Sequence, residues 1–314
     1  MKKKNTVTLN ELVTEKMVIM ENDGKMNSAH NYRTLLHFIQ KHFGIVLMSE
    51  CGPEFIKQMD KCLADYSPST KSTYYSLLKS IWHYAEYKGY TGKCEYPFRR
   101  KQYEMDKIAI PKILRRSDWW VDIKGMSEIY HNWENMKDSN IKRYIGLFLT
   151  SYLFNGANIN DIVRIRFTRD WFQSNGTILS FIRKKTAEKS PTKVRVPITK
   201  WVKPILEYMG EKPELNGLVF KSFIDGYDMT ENSLFKRIMT LNSVISKQIK
   251  IVTGRPDIST TTARHSYSTN LHHLGAPYAL TEKNLGHCGT DVAFNYIGEF
   301  PDSDLFKWNE KLII

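Results

Sequence analysis

Several side chains of this 314-residue sequence have types and spacing suited to chemistry on a phosphate. Arg264 and His265 stand together in Thr-Thr-Ala-Arg-His-Ser-Tyr-Ser-Thr, residues 261–269. His287 follows Arg264 by 23 residues, in Leu-Gly-His, and Tyr296 lies nine residues further on. Upstream, Arg183, Lys184 and Lys185 make a compact cationic run before Thr186. A guanidinium fork matches two non-bridging phosphate oxygens. Lysine and histidine can move protons, and a tyrosine hydroxyl can act as a nucleophile. Each residue also has an ordinary structural use. Tyr296 is one of 17 tyrosines and could be core, Arg264 could form a helix-face ion pair, and His287 could pack behind Gly286. The imidazoles and Cys288 do not suggest a metal site. His272 and His273 are adjacent and point apart on a helix, and His265, His287 and Cys288 are not paired at ligand spacing. There is no glycine-rich phosphate loop, which argues against a nucleoside triphosphatase. No cofactor is implied.

The elements that must hold these groups belong to a globular chain. Hydrophobic residues are 41% and charged residues 25%, which excludes a disordered or fibrous protein. Net charge is +13, with the excess in both halves, as suits a protein that holds a polyanion along its whole length. The longest apolar run, residues 145–154, is far short of the roughly 20 residues of a membrane span. Lys2, Lys3 and Lys4 are not followed by an apolar segment, so no signal peptide is read. Cys51, Cys62, Cys94 and Cys288 show no framework and read as reduced thiols. A cytoplasmic, nucleoid-associated location is expected.

Helical spacing predicts four helices in the first hundred residues: 8–20, a second capped by Asn27 or Ser28 and stopped at Gly44, 53–66, and one started by Ser67-Pro68 and ended at Gly89. A basic, non-periodic stretch from Arg99 to Pro111 reads as a linker. Beyond it the pattern is mixed. An apolar helix over 140–154 ends at Gly156, and a short helix begins at Asn158. Residues 177–184 and 192–198 have strand character and form a β-hairpin with a cationic loop. Helices follow over 201–209, 230–250, 262–274, 277–285 and 290–297, then an amphipathic tail over 303–314. The fold class expected is mainly α with a small β-sheet. The domains expected are a helical N-terminal domain (1–108), a linker (109–115) and an α+β domain with a tail helix (116–314).

The Ala-Arg-His-Ser-Tyr-Ser-Thr run, Leu-Gly-His and a tyrosine at that distance resemble the tyrosine recombinases, or phage integrase family. The helical first domain, the apolar helix ending in glycine and the basic hairpin follow the same order, so the resemblance spans nearly the whole chain. It implies a metal-independent enzyme that cleaves duplex DNA through a 3′-phosphotyrosyl bond, releases a 5′-hydroxyl, and rejoins strands without ATP. Tyr296 would be the nucleophile and Arg264 the phosphate clamp. His287 would donate a hydrogen bond to the phosphate or assist proton transfer, and His265 would support Arg264. A hairpin lysine would protonate the leaving oxygen. Lys185 fits the Arg-x-Lys-Thr form, and Lys184 is the rival one residue away, on the other face if the strand continues.

The sequence departs from the family twice. Asn158 stands where the first motif normally supplies an arginine, although Asp161 keeps the bracing carboxylate. Thr261 stands where the family usually has His, sometimes Tyr or Lys. Both changes remove charge that would stabilise the transition state. Arg164, Arg166 and Arg183 are candidate substitutes. The leading expectation is a site-specific recombinase of a mobile element, acting on paired sites as a homo-tetramer. Its Ser303–Ile314 tail is expected to pack on a neighbouring protomer, with packing in cis as the alternative. A cleavage-deficient DNA-binding regulator and a relaxing topoisomerase are the other two readings.

Overall fold

The computed structural model describes residues 6–113, 119–188, 191–287 and 298–314. The chain divides into two compact units, Met1–Arg115 and Arg116–Ile314.

The first unit is built on α1 (Leu9–Asn22), α2 (Met26–Phe43), α3 (Pro53–Cys62) and α4 (Pro68–Tyr87). α1 starts in a capping box: Thr8 Oγ1 accepts from the Glu11 amide at 3.1 Å, and the Glu11 carboxylate accepts from the Thr8 amide at 3.0 Å. Ser67 caps α4 by accepting from the Thr70 amide at 3.2 Å, with Pro68 in the first turn. α2 departs from expectation. Its N-cap is Lys25, with no side-chain cap, so neither Asn27 nor Ser28 starts it. Leu12, Leu35, Ile39, Met59, Tyr75 and Ile81 are buried in the core that these helices share.

Residues 99–108 are not a free linker. The Glu104 carboxylate accepts from the Arg100 and Lys101 amides at 2.6 and 2.8 Å, and Arg99 Nε donates to the Glu104 carbonyl at 3.0 Å. Lys107 is buried between Glu95 (2.6 Å) and Glu104 (3.2 Å). Those amide bonds hold the Glu104 carboxyl at about 2, well below the usual range. A basic stretch read as a linker is therefore folded onto its own unit.

The second unit contains α5 (Ile123–Asn135), α6 (Asn140–Leu153), α7 (Ile159–Ile162), α8 (Arg169–Gln173), β1 (Ile178–Ile182), β2 (Lys193–Pro197), α9 (Lys203–Met209), α10 (Glu231–Thr253), α11 (Thr260–His273), α12 (Tyr278–Asn284) and α13 (Asp302–Asn309). α6 is the central element: every residue from Ile145 to Leu153 is buried, and α5, α7, α9, α10 and α11 all pack against it. The strands pair antiparallel, with Ile178 opposite Pro197 and Ile182 opposite Lys193. The unit is mainly helical with this two-stranded sheet, and its elements bring the ends of α6, β1 and α12 and the second turn of α11 together.

The tail packs in cis. Leu305, Asn309, Leu312 and Ile313 are buried in their own unit. Tyr152 Oη donates to the Leu312 carbonyl at 3.1 Å, and Trp201 Nε1 to the Glu310 carbonyl at 2.9 Å. In this single chain Ser303–Ile314 takes the cis alternative to packing on a neighbouring protomer, and the apolar side of α13 is covered within its own unit. Among the described residues no helix is long and apolar enough to cross a membrane.

Candidate active site

Two helix endings and one helix beginning build the site. α12 ends in a Schellman motif. The His287 amide donates to the Glu282 carbonyl at 3.0 Å, and the Gly286 amide to the Lys283 carbonyl at 2.9 Å. Gly286 takes φ +64°, a conformation that glycine adopts without strain. The Leu-Gly-His sequence thus places His287 just beyond the last turn. α6 ends with Asn155 at φ +54° and Gly156 at φ +66°, which exposes the Gly156 carbonyl. α11 follows its N-cap Ser259, whose amide donates to Thr262 Oγ1 at 3.0 Å.

Arg264 projects from α11 into the gap between these endings. Its guanidinium donates to the Gly156 carbonyl at 2.7 Å, to the Leu285 carbonyl at 2.7 Å and to His287 Nε2 at 2.9 Å. A second guanidinium meets it. Arg183, just past β1, is buried and donates to the same Leu285 carbonyl at 3.1 Å. Buried Asp161 of α7 lies 3.6 Å from Arg183 Nε, too far for a hydrogen bond, and it accepts from the Lys184 amide at 2.9 Å. Arg183 Nε has no hydrogen-bond partner among the described residues. Burial, and then the neighbouring Arg183, push the Arg264 guanidinium down to about 10. Two cations therefore face one buried carboxylate, an arrangement that an incoming anion would relieve.

The space around these arginines is tight. A Cβ on Gly286 would lie 2.5 Å from Arg183 Cδ and 2.8 Å from Val194 Cγ2. Gly286→Ala is expected to cost about 1–3 kcal/mol through the left-handed backbone alone. That lowers the melting temperature by roughly 2–4 °C per kcal/mol for a unit of this size, measured by calorimetry. An unchanged melting temperature would contradict the close approach.

The other expected site residues fall as follows. Asn158 is the N-cap residue of α7, half-buried, and its carbonyl accepts from the Asp161 and Ile162 amides at 2.8 and 2.9 Å. Thr261 is exposed in the first turn of α11, its hydroxyl 3.0 Å from that of Ser259. His265 sits on the exposed side of α11. β1 stops at Ile182, so Lys184 and Lys185 lie in a turn and strand alternation does not set their directions. The Lys184 ammonium pairs with Glu231 of α10 at 3.2 Å, while Lys185 is exposed with no ion-pair partner among the described residues. Arg164 also pairs with Glu231, at 2.9 Å, and Arg166 donates to the Asn216 carbonyl at 2.7 Å. Of the three candidate substitutes, only Arg183 lies beside Arg264. Tyr296 and Cys288, together with the helix expected over 290–297, lie outside the described residues. Gly298, two residues after Tyr296 in sequence, accepts from Lys283 Nζ at 2.6 Å.

Two groups were missed by motif reading. Glu282 accepts from His287 Nδ1 at 2.9 Å. Tyr267, fully buried behind Arg264, donates to Asn155 Oδ1 at 3.1 Å and accepts from Asn284 Nδ2 at 2.9 Å, joining the ends of α6 and α12. Burial pushes its phenol well above the ordinary range, which keeps it a neutral strut. The serine-tyrosine after Arg264-His265 was the available signal for Tyr267. Glu282 shows only once the helix ending is built.

No family model matches the sequence, and no curated protein does either. Solved structures do match. A lambda integrase tetramer bound to a Holliday junction is 12% identical, with a TM-score of 0.58 over 93% of this chain and 81% of that one. The Tn1549 transposon integrase in complex with transposon right end DNA is 12% identical, with a TM-score of 0.57 over 98% and 99%. The XerH site-specific recombinase bound to difH substrate is 12% identical, with a TM-score of 0.53 over 87% and 79%. The chain has the tyrosine-recombinase fold. Within that fold, the ends of α6 and α12 and the cationic turn after β1 surround Arg264.

Proposed function

We propose that this chain is a site-specific DNA recombinase or integrase that cleaves and rejoins duplex DNA through a 3′-phosphotyrosyl intermediate at Tyr296. The observation that carries this reading is the convergence of Arg264 and Arg183 on the Leu285 carbonyl beside His287, an under-compensated cationic cluster within the tyrosine-recombinase fold. Arg264 and Arg183 hold the scissile phosphate. The Tyr296 oxygen attacks phosphorus, the bond to the 5′-oxygen breaks, and a hairpin lysine protonates that oxygen. Bond energy stays in the phosphotyrosyl link, so the reverse step joins a new strand. The N-terminal helical unit grips the duplex, with Lys16 4.2 Å above the Tyr84 ring and Tyr87 exposed nearby in sequence. Four copies assemble on paired sites.

In this reading Arg183 supplies the charge that Asn158 does not. Arg183→Ala is expected to slow single-turnover cleavage by about 10²–10³-fold, the scale of one lost transition-state donor. Arg164→Ala and Arg166→Ala stay near wild type, since their partners lie elsewhere. Equal rates for all three variants would remove Arg183 from the site.

Lys185 is the general acid, because Lys184 is already paired with Glu231. Lys185→Ala is expected to lose about 10²–10⁴-fold on ordinary DNA. It should recover on a substrate with sulfur in place of the bridging 5′-oxygen, since a thiolate leaves without a proton. The same pattern in Lys184→Ala instead would reverse the assignment.

The test of function uses a plasmid carrying two copies of a site selected from random duplex by this protein. Recombinant circles support the proposal. Relaxed circles alone identify a topoisomerase. Binding with neither product identifies a regulator, the reading that Asn158 and Thr261 favour.

A further inference from the structure

His287 is held from both sides. Its Nδ1 lies 2.9 Å from Glu282 Oε2, and its Nε2 lies 2.9 Å from an Arg264 nitrogen. A guanidinium only donates, so Nε2 must be the acceptor in that contact. A carboxylate only accepts, so Nδ1 must carry the proton. The two partners, one from α11 and one from α12, therefore select the same tautomer. Arg264 in turn shares the Leu285 carbonyl with Arg183, whose Nε lies 3.6 Å from Asp161.

Resting on the recombinase reading, we propose that Glu282 is a positioning residue that fixes His287 with its proton on Nδ1, so that Nε2 takes the proton of the attacking tyrosine. At rest Arg264 occupies Nε2. A phosphate that draws the Arg264 donors toward its own oxygens vacates Nε2. The Tyr296 O–H bond then breaks as the oxygen bonds to phosphorus, and the proton passes to Nε2. The imidazolium so formed has its Nδ1–H on the Glu282 carboxylate, which balances its charge. The bond from phosphorus to the 5′-oxygen breaks, and that oxygen takes its proton from Lys185. Thr261 carries no base, and its hydroxyl is engaged with Ser259. The ring's role is thus to accept a proton, with Glu282 setting which nitrogen does so.

Two measurements on the full-length protein test this. In DNA-free wild type, long-range nitrogen–proton NMR of the histidine rings, with His287 assigned by its loss in His287→Asn, is expected to show protonation at Nδ1. Protonation at Nε2 overturns the proposal without recourse to any Glu282 variant. In single-turnover cleavage, Glu282→Ala is expected to be at least about 10-fold slower than wild type, with DNA affinity unchanged. Glu282→Gln, which keeps an acceptor but loses the charge, falls between them. Neither variant recovers on the 5′-sulfur substrate that rescues Lys185→Ala, because the defect lies on the attacking side. Rates for both variants within twofold of wild type, or recovery on the sulfur substrate, overturn the assignment. If Glu282→Ala does not fold, the nearly isosteric Glu282→Gln carries the kinetic test. Wild type that forms no covalent product would instead overturn the recombinase reading itself.

Discussion

Replacing Arg264 by alanine is expected to slow single-turnover cleavage by about 10²–10³-fold, equivalent to about 2.7–4 kcal/mol of transition-state stabilisation. The argument rests on what surrounds the guanidinium. Its partners among the described residues are two carbonyls and an imidazole nitrogen, all neutral acceptors. None supplies a counter-charge, and burial beside Arg183 brings its pKa down to about 10. A group in that state remains charged at neutral pH and makes no ion pair among the described residues. The in-flight phosphoryl group, bearing more charge on its non-bridging oxygens than the ground-state diester, is the species it is placed to meet. Arg264→Lys is expected to be impaired nearly as much. An ammonium keeps the charge but cannot span the Gly156 and Leu285 carbonyls while presenting a fork to phosphate. Binding to duplex DNA, dominated by many phosphate contacts, should weaken little, with a salt slope reduced by about one charge. The check is a cleavage time course beside a binding titration. Equal loss of binding and cleavage would make Arg264 part of the general grip on DNA.

The sequence was most legible where local chemistry alone sets the backbone. Ser67-Pro68 starts α4, Leu-Gly-His ends α12, and the alternation before and after the cationic loop gives β1 and β2. It was least legible where a distant partner decides. Residues 99–108 look like a linker until Glu104 closes on the Arg100 and Lys101 amides. α5 was not foreseen, because Ile123–Asn135 carries Gly125 and several polar residues. Its start is fixed by Asp122 accepting from the Gly125 amide, and its buried face by Met126, Tyr130 and Trp133. The tail's apolar side has no visible partner in the linear pattern, yet Tyr152 and Trp201 receive it.

The same division holds within the site. Arg264 and His287 carry motif signals, and the structure brings them into hydrogen-bond contact. The choice among Arg164, Arg166 and Arg183 could not be made from spacing. Two of them are drawn off by Glu231 and Asn216, and only the third lies under the end of α12. Loss of an arginine at position 158 and burial of one at 183 make sense together only in three dimensions. A cation entering from the hairpin can serve the same phosphate as one entering from the first motif, since the field depends on where the charge sits and not on the element that carries it.

Tyr296→Phe is expected to have the largest effect of any single substitution, complete loss of covalent chemistry with DNA binding intact, because removal of one oxygen atom deletes the nucleophile. The direct measurement is denaturing electrophoresis after incubation with a nicked half-site, in the presence of EDTA, whose short 3′-side strand diffuses away after cleavage and traps the intermediate. The account predicts a protein–DNA band for wild type that Tyr296→Phe does not form. A band of equal strength in Tyr296→Phe, or none in wild type on sites it binds tightly, would contradict it.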